Sequence, residues 1–116
     1  MNPNVILFGW NRPLPGREHL SAQHFQDFMA YLQTQKSQGI IEAFEPVLLE
    51  PHGGTVNGFF AIKGSPAKLG AMVASPDWLQ HQVRASLHLD GVFVSRAVSG
   101  QAVAEHMAIW TQAIPR

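Results

Sequence analysis

Between Val5 and Val98 the apolar residues change their period in a fixed order: two, near 3.6, two, two, near 3.6, two. A period of two marks strands and a period near 3.6 marks helices. The chain therefore reads β-α-β-β-α-β, and few architectures accept that order. Val5 to Trp10 is apolar on both alternating sets, Val5 and Leu7 against Ile6, Phe8 and Trp10, as in a strand buried on both faces. Asn11-Arg12-Pro13-Leu14-Pro15-Gly16 ends it. Ser21 is the expected cap of the first helix, with Leu20 and Phe25 placed as a hydrophobic staple. Phe25, Phe28, Met29 and Leu32 follow helical spacing, and Gly39 supplies the stop.

From Ile40 to Glu50 the pattern is that of a strand, with Ile41, Ala43, Val47 and Leu49 on one side and Phe44 and Leu48 on the other. Pro46 cannot donate to a ladder, which predicts an edge strand or a bulge. A turn at 51–55 and a third strand over 56–63 complete a hairpin. Ser65-Pro66 and Ser75-Pro76-Asp77 each combine a hydroxyl cap with proline at the first helical position. They predict helices over about 67–73 and 76–88. Asp90-Gly91 is a break, 91–98 a fourth strand, and Ser99 the expected cap of a last helix bearing Val103, Met107, Trp110 and Ile114.

A length of 116 residues fits one α+β domain over 1–116, and no repeat or linker divides it. Charged residues are 14%, against an ordinary share of about 25%. Eight basic and eight acidic residues cancel, and the basic ones are scattered. This speaks against a nucleic-acid partner and against a polybasic membrane patch. The absence of cysteine excludes disulfides and thiolate chemistry. With a start unlike a signal peptide, a cytoplasmic protein without a resident cofactor is expected.

Both helices of such an order cross one face of the sheet, yet the strands are apolar on both. Val92 and Val94 oppose Phe93 and Ala97, and Phe59 opposes Phe60. A bare apolar face favours a partner, and two-fold pairing is the commonest one. A homodimer closed sheet to sheet is thus expected, the alternative being a monomer covered by its C-terminal helix. The element order, the two-faced strands and the Ser75-Pro76-Asp77-Trp78 helix start resemble the dimeric α+β barrel superfamily, with its ferredoxin-like antiparallel sheet. Within it, the stretch from Ile41 to Gly54 resembles bacterial proteins of unassigned function. The superfamily contains cofactor-independent monooxygenases, haem-degrading enzymes, dismutases, lactone isomerases and proteins without known chemistry, so the fold selects none of these.

His81, Arg84 and His88 share one arc of the second long helix, and Leu79, Val83 and Leu87 share the opposite one. That division predicts the leucine arc inward and the histidine arc solvated. The functional alternative has His81 and His88 facing a ligand, with Asp77 orienting His81. His52 in the Gly-Gly turn, with Glu50 beside it, is a candidate catalytic residue. Glu45, among apolar neighbours, is a candidate base if a pocket desolvates it. Trp10, Asn11, Phe59, Trp78, His81 and His88 are the candidate ligand-binding residues. Resemblance to the haem-degrading branch matches Asn11, Trp78 and His88 to its asparagine, tryptophan and iron-ligating histidine. Metal-ligand spacing is absent, so no metal site is expected. The expected function is binding or conversion of a small organic molecule in a pocket between sheet and helices. A non-catalytic dimeric interaction module is the first alternative, and a haem-degrading or cofactor-independent monooxygenase the second.

Overall fold

The computed structural model describes all 116 residues. Strands β1 (Val5–Trp10), β3 (Ala43–Leu48), β4 (Gly58–Lys63) and β6 (Phe93–Ala97) form one antiparallel sheet in the order β3-β4-β1-β6. Helices α1 (Glu18–Ser37), α2 (Pro66–Val73) and α3 (Pro76–Ser86) supply the two crossovers, and α4 (Gln101–Gln112) follows the last strand. The two-residue strands β2 (Arg12–Pro13) and β5 (Leu89–Asp90) pair with each other beside the main sheet. This is an α+β fold compatible with a ferredoxin-like arrangement, and its sheet is open rather than closed into a barrel. No helix is long and apolar enough to cross a membrane.

The order follows from composition. β1, apolar on both sides, lies inside the sheet, and Pro46 lies on the edge strand β3, where a missing N–H breaks no second ladder. Ser65 and Ser75 cap α2 and α3, each accepting from the backbone N–H three residues on, with proline at the first helical position. Ile6, Phe8, Phe60 and Ile62 point to one face of the sheet, where they pack against Phe28 and Leu32 of α1, Leu69 and Met72 of α2, and Trp78 and Ala85 of α3. Phe28 is the hub, with ring centroids 4.9 Å from Phe8, 5.0 Å from Phe60 and 5.7 Å from Trp78.

Two expected caps differ. α1 begins at Glu18 after Arg17, before Ser21, whose hydroxyl is used elsewhere. Gly100, at φ 64°, occupies the N-cap of α4 in place of Ser99, whose N–H donates to Asn4 Oδ1 (2.9 Å). The larger difference is the face of α3. Leu79, Val83 and Leu87 are 59%, 51% and 61% exposed, whereas His88 is 3% exposed and His81 half-buried. The helix turns its polar arc inward because the histidines on it find partners on α1.

On its other face the sheet carries Leu7, Val47, Phe59 and Phe93, all half-buried. The Phe93 ring lies over Gly9, where a Cβ would stand 2.3 Å from it. α4 does not cover this face: it buries none of its residues, and Met107 and Trp110 are exposed. The radius of gyration, 15.8 Å, exceeds the roughly 13 Å of a compact 100-residue domain, as an outlying helix requires.

Candidate functional site

The buried stripe His24, Phe28, Leu32 faces α1 inward at four-residue spacing. On α3 the inward arc is Trp78, His81, Ala85, continued by His88 past the end of the helix. Where the two arcs meet, four side chains form a line. Ser21 Oγ lies 2.7 Å from His88 Nδ1, His88 Nε2 lies 2.8 Å from His24 Nδ1, and His24 Nε2 lies 3.0 Å from His81 Nδ1. Both ring nitrogens of His24 and of His88 are engaged. The His24 and His81 rings lie nearly parallel, with centroids 5.3 Å apart and planes at 10°, and His24 packs edge-on against His88.

Because each link holds one proton, the neutral line has only two fully bonded forms. In one, all three rings carry hydrogen on Nε2 and the Ser21 hydroxyl donates to His88 Nδ1. In the other, all three carry it on Nδ1, and His88 donates to Ser21. The second form leaves the serine proton only the His88 carbonyl at 3.4 Å, an oxygen that already accepts from the Leu14 N–H at 2.8 Å. The first form is favoured by the length of those two bonds. One excess proton also fits without a broken bond, on any one of the three rings with the links pointing away from it, whereas a second does not.

Burial disfavours the charged form of all three rings, and the Arg84 guanidinium opposes it further. His24 is held down to about 4 by burial first, then by Arg84 and its two histidine neighbours, with Asp27 acting in the opposite sense. Arg84 itself donates to Asp27 Oδ2 at 2.7 Å, and that bond keeps the Asp27 carboxyl below its ordinary value. Asp77 also favours charge on His81, but burial and Arg84 outweigh it.

The serine end of the line opens into a cavity of about 360 Å³ between α1, the sheet and the end of α3. Phe8, Trp10, Phe25, Phe60 and Leu48 form its apolar walls, and Ser21, His24, His88 and Glu18 bring polar groups to it. Trp10 sits over Gly58, where a Cβ would come within 2.5 Å of its ring, so that glycine keeps the indole in the wall. At the ends of β1 and β5, Asn11 accepts from Asn57 (2.6 Å) and donates to Asp90 (2.9 Å). The Arg17 guanidinium donates to the Leu87 carbonyl and ties the start of α1 to the end of α3.

Of the residues singled out in the sequence, Trp10 and His88 line the cavity, and His81 is the outer end of the histidine line. Asn11 lies next to Trp10 but is occupied by Asn57 and Asp90. Trp78 is a core residue at 1% exposure, its indole N–H bonded to Gln82. Phe59 lies on the opposite face of the sheet from the cavity. Glu45 and His52 are both exposed, Glu45 on that opposite face of β3 and His52 in the turn, bonded to the Glu50 carbonyl rather than to its carboxylate. Ser21 and His24 were not among the candidates. His24 was within reach, since it continues the Phe28–Leu32 stripe by one turn. Ser21 was not, because its partner is 67 residues away.

No group of three or more histidine and carboxylate side chains converges on a point that suits a metal ion. The three histidines form a line, and the central ring uses both nitrogens on its neighbours. His88 likewise has no free nitrogen for haem iron, and Trp78 is enclosed in the core. Comparison with known proteins returns no match to a family model, a curated protein or a solved structure.

Proposed function

We propose that the chain is a homodimeric protein that binds and acts on a small, mostly apolar organic molecule in the cavity between the sheet and α1. The observation that carries this reading is the open cavity itself. Its volume lies within the ordinary range for small-molecule sites, about 300–1,000 Å³, and polar groups meet on one wall of an otherwise apolar space. A pure interaction module would have that space filled by side chains. Proton exchange with the ligand is the chemistry that the histidine line suits.

Pairing through the open sheet face is supported by Leu7, Phe59 and Phe93, which no element of the chain covers, and by an α4 that buries nothing. Two such sheets laid face to face would enclose the barrel that the resemblance implies. A single sedimentation-equilibrium experiment with 2-naphthol as the absorbing probe tests both parts. The expected species has twice the 12.8 kDa chain mass and carries the probe. Ala22→Trp, at an exposed position of the cavity lining, should fill the space and weaken probe binding at least tenfold while leaving the mass unchanged. A monomer contradicts the pairing, and undiminished binding by Ala22→Trp contradicts the cavity as the site.

A further inference from the structure

We propose that Ser21 is a nucleophile that accepts an acyl group from small apolar esters or thioesters, with His88 as its base and His24 as the residue that positions His88. The proposal rests on the cavity reading above and adds a reaction to it. Its basis is geometric. A nucleophile bonded to a base, and the base bonded in turn to a third group, is the arrangement that activates a hydroxyl in acyl transfer. Here the two distances are 2.7 Å and 2.8 Å, and the three residues come from different parts of the chain. The hydroxyl is also the polar group of the line that reaches the cavity with a proton to give.

The Ser21 oxygen attacks the ester carbonyl carbon while its proton passes to His88 Nδ1, and the carbonyl π pair moves onto oxygen. Collapse of that adduct breaks the bond to the alkoxy group, which leaves with the proton from His88 Nδ1 as an alcohol. Water then attacks the acyl-serine, His88 takes one of its protons, and collapse returns that proton to Ser21 as the acid departs. The net change is ester plus water to acid plus alcohol, with no oxidant or cofactor.

His24 has two tasks in this scheme. By accepting from His88 Nε2–H it keeps Nδ1 free as the base, and it shares the imidazolium charge that forms. His81 beyond it extends that sharing to the half-buried end of the line. The charged group that acts on the His88 imidazolium is Arg84 of α3, which opposes the charge; Asp27 of α1 favours charge on His24, the next ring of the line. A second histidine in place of a carboxylate should make the base weaker, so activated esters are the suitable substrates.

The experiment uses the whole chain and 4-nitrophenyl hexanoate, followed by nitrophenolate release and by mass analysis of the peptide holding Ser21. The expected result is a burst of one nitrophenolate per chain and a hexanoyl group on Ser21. Ser21→Ala should abolish both, and Ser21→Cys should restore acylation. His88→Phe should slow acylation by about 10²–10⁴-fold, the ordinary contribution of a base. His24→Phe should slow it less and displace the pH profile of the burst, which a loss of packing alone would not do. Hexanoyl groups found elsewhere, or no burst from protein that binds 2-naphthol, overturn the proposal. Failure to bind 2-naphthol overturns instead the cavity reading beneath it.

Discussion

Replacing Phe28 by alanine should cost about 3–5 kcal/mol of folding stability, the ordinary price of removing a buried aromatic ring. Phe28 is 3% exposed and joins every layer of the core. It touches Phe8 and Phe60 on the sheet and Trp78 on α3, and its centroid is 5.2 Å from His81 and 6.2 Å from His24. The void would therefore adjoin both the hydrophobic core and the histidine line. Domains of this kind are stable by roughly 5–15 kcal/mol, so the variant would keep only part of its margin. Urea unfolding at pH 7.5 gives the number. A loss below about 1 kcal/mol would mean that the ring is not enclosed as described.

The second large effect is with acid. His24 titrates at about 4 in the folded protein against 6.5 when unfolded, so the native state binds fewer protons between those values. Its contribution to stability is complete above pH 6.5, falls as the pH drops from 6.5 to 4, and changes no further below that. A displacement of this size corresponds to roughly 3 kcal/mol at 1.36 kcal/mol per unit. His81 and His88 are displaced in the same direction by the same burial and add to the loss. Asp27 acts at lower pH, because its carboxyl is held below its ordinary value by Arg84 and its contribution is lost only as that carboxyl protonates. Urea midpoints at pH 7.5, 5.5 and 4 should fall steadily, and His24→Leu should flatten the slope. A wild-type midpoint unchanged from pH 7.5 to 4 would contradict the burial of neutral histidine.

Much of the fold was legible because local chemistry dictates it. Pro46 marked the edge strand, the two Ser-Pro pairs marked the starts of α2 and α3, and Gly39 and Gly91 stand at positive φ where the elements end. The candidate site was legible only in pieces. Hydropathy assigned the leucine arc of α3 to the interior, yet the interior holds His81 and His88. A polar arc can be buried when its members satisfy one another, and here the partners, His24 and Ser21, lie 57 to 67 residues away. No periodicity reports a bond of that range. Ser21 misled for a related reason: serine near a helix start is usually a cap, but α1 had already begun three residues earlier.

The exposed stripe of Leu79, Val83 and Leu87 follows from the same inversion. Once α3 turns its histidines inward, its aliphatic residues must face outward, regardless of what function they serve.

The most direct measurement is nitrogen NMR of the histidine rings in ¹⁵N-labelled protein at pH 7.5, repeated down to pH 5. The expected result is that His24, His81 and His88 are all neutral and all carry hydrogen on Nε2, with a proton resonance for the Ser21 hydroxyl slowed from exchange. A mixture of tautomers among the three rings, each titrating independently near 6.5, would show that no bonded line runs from Ser21 to His81.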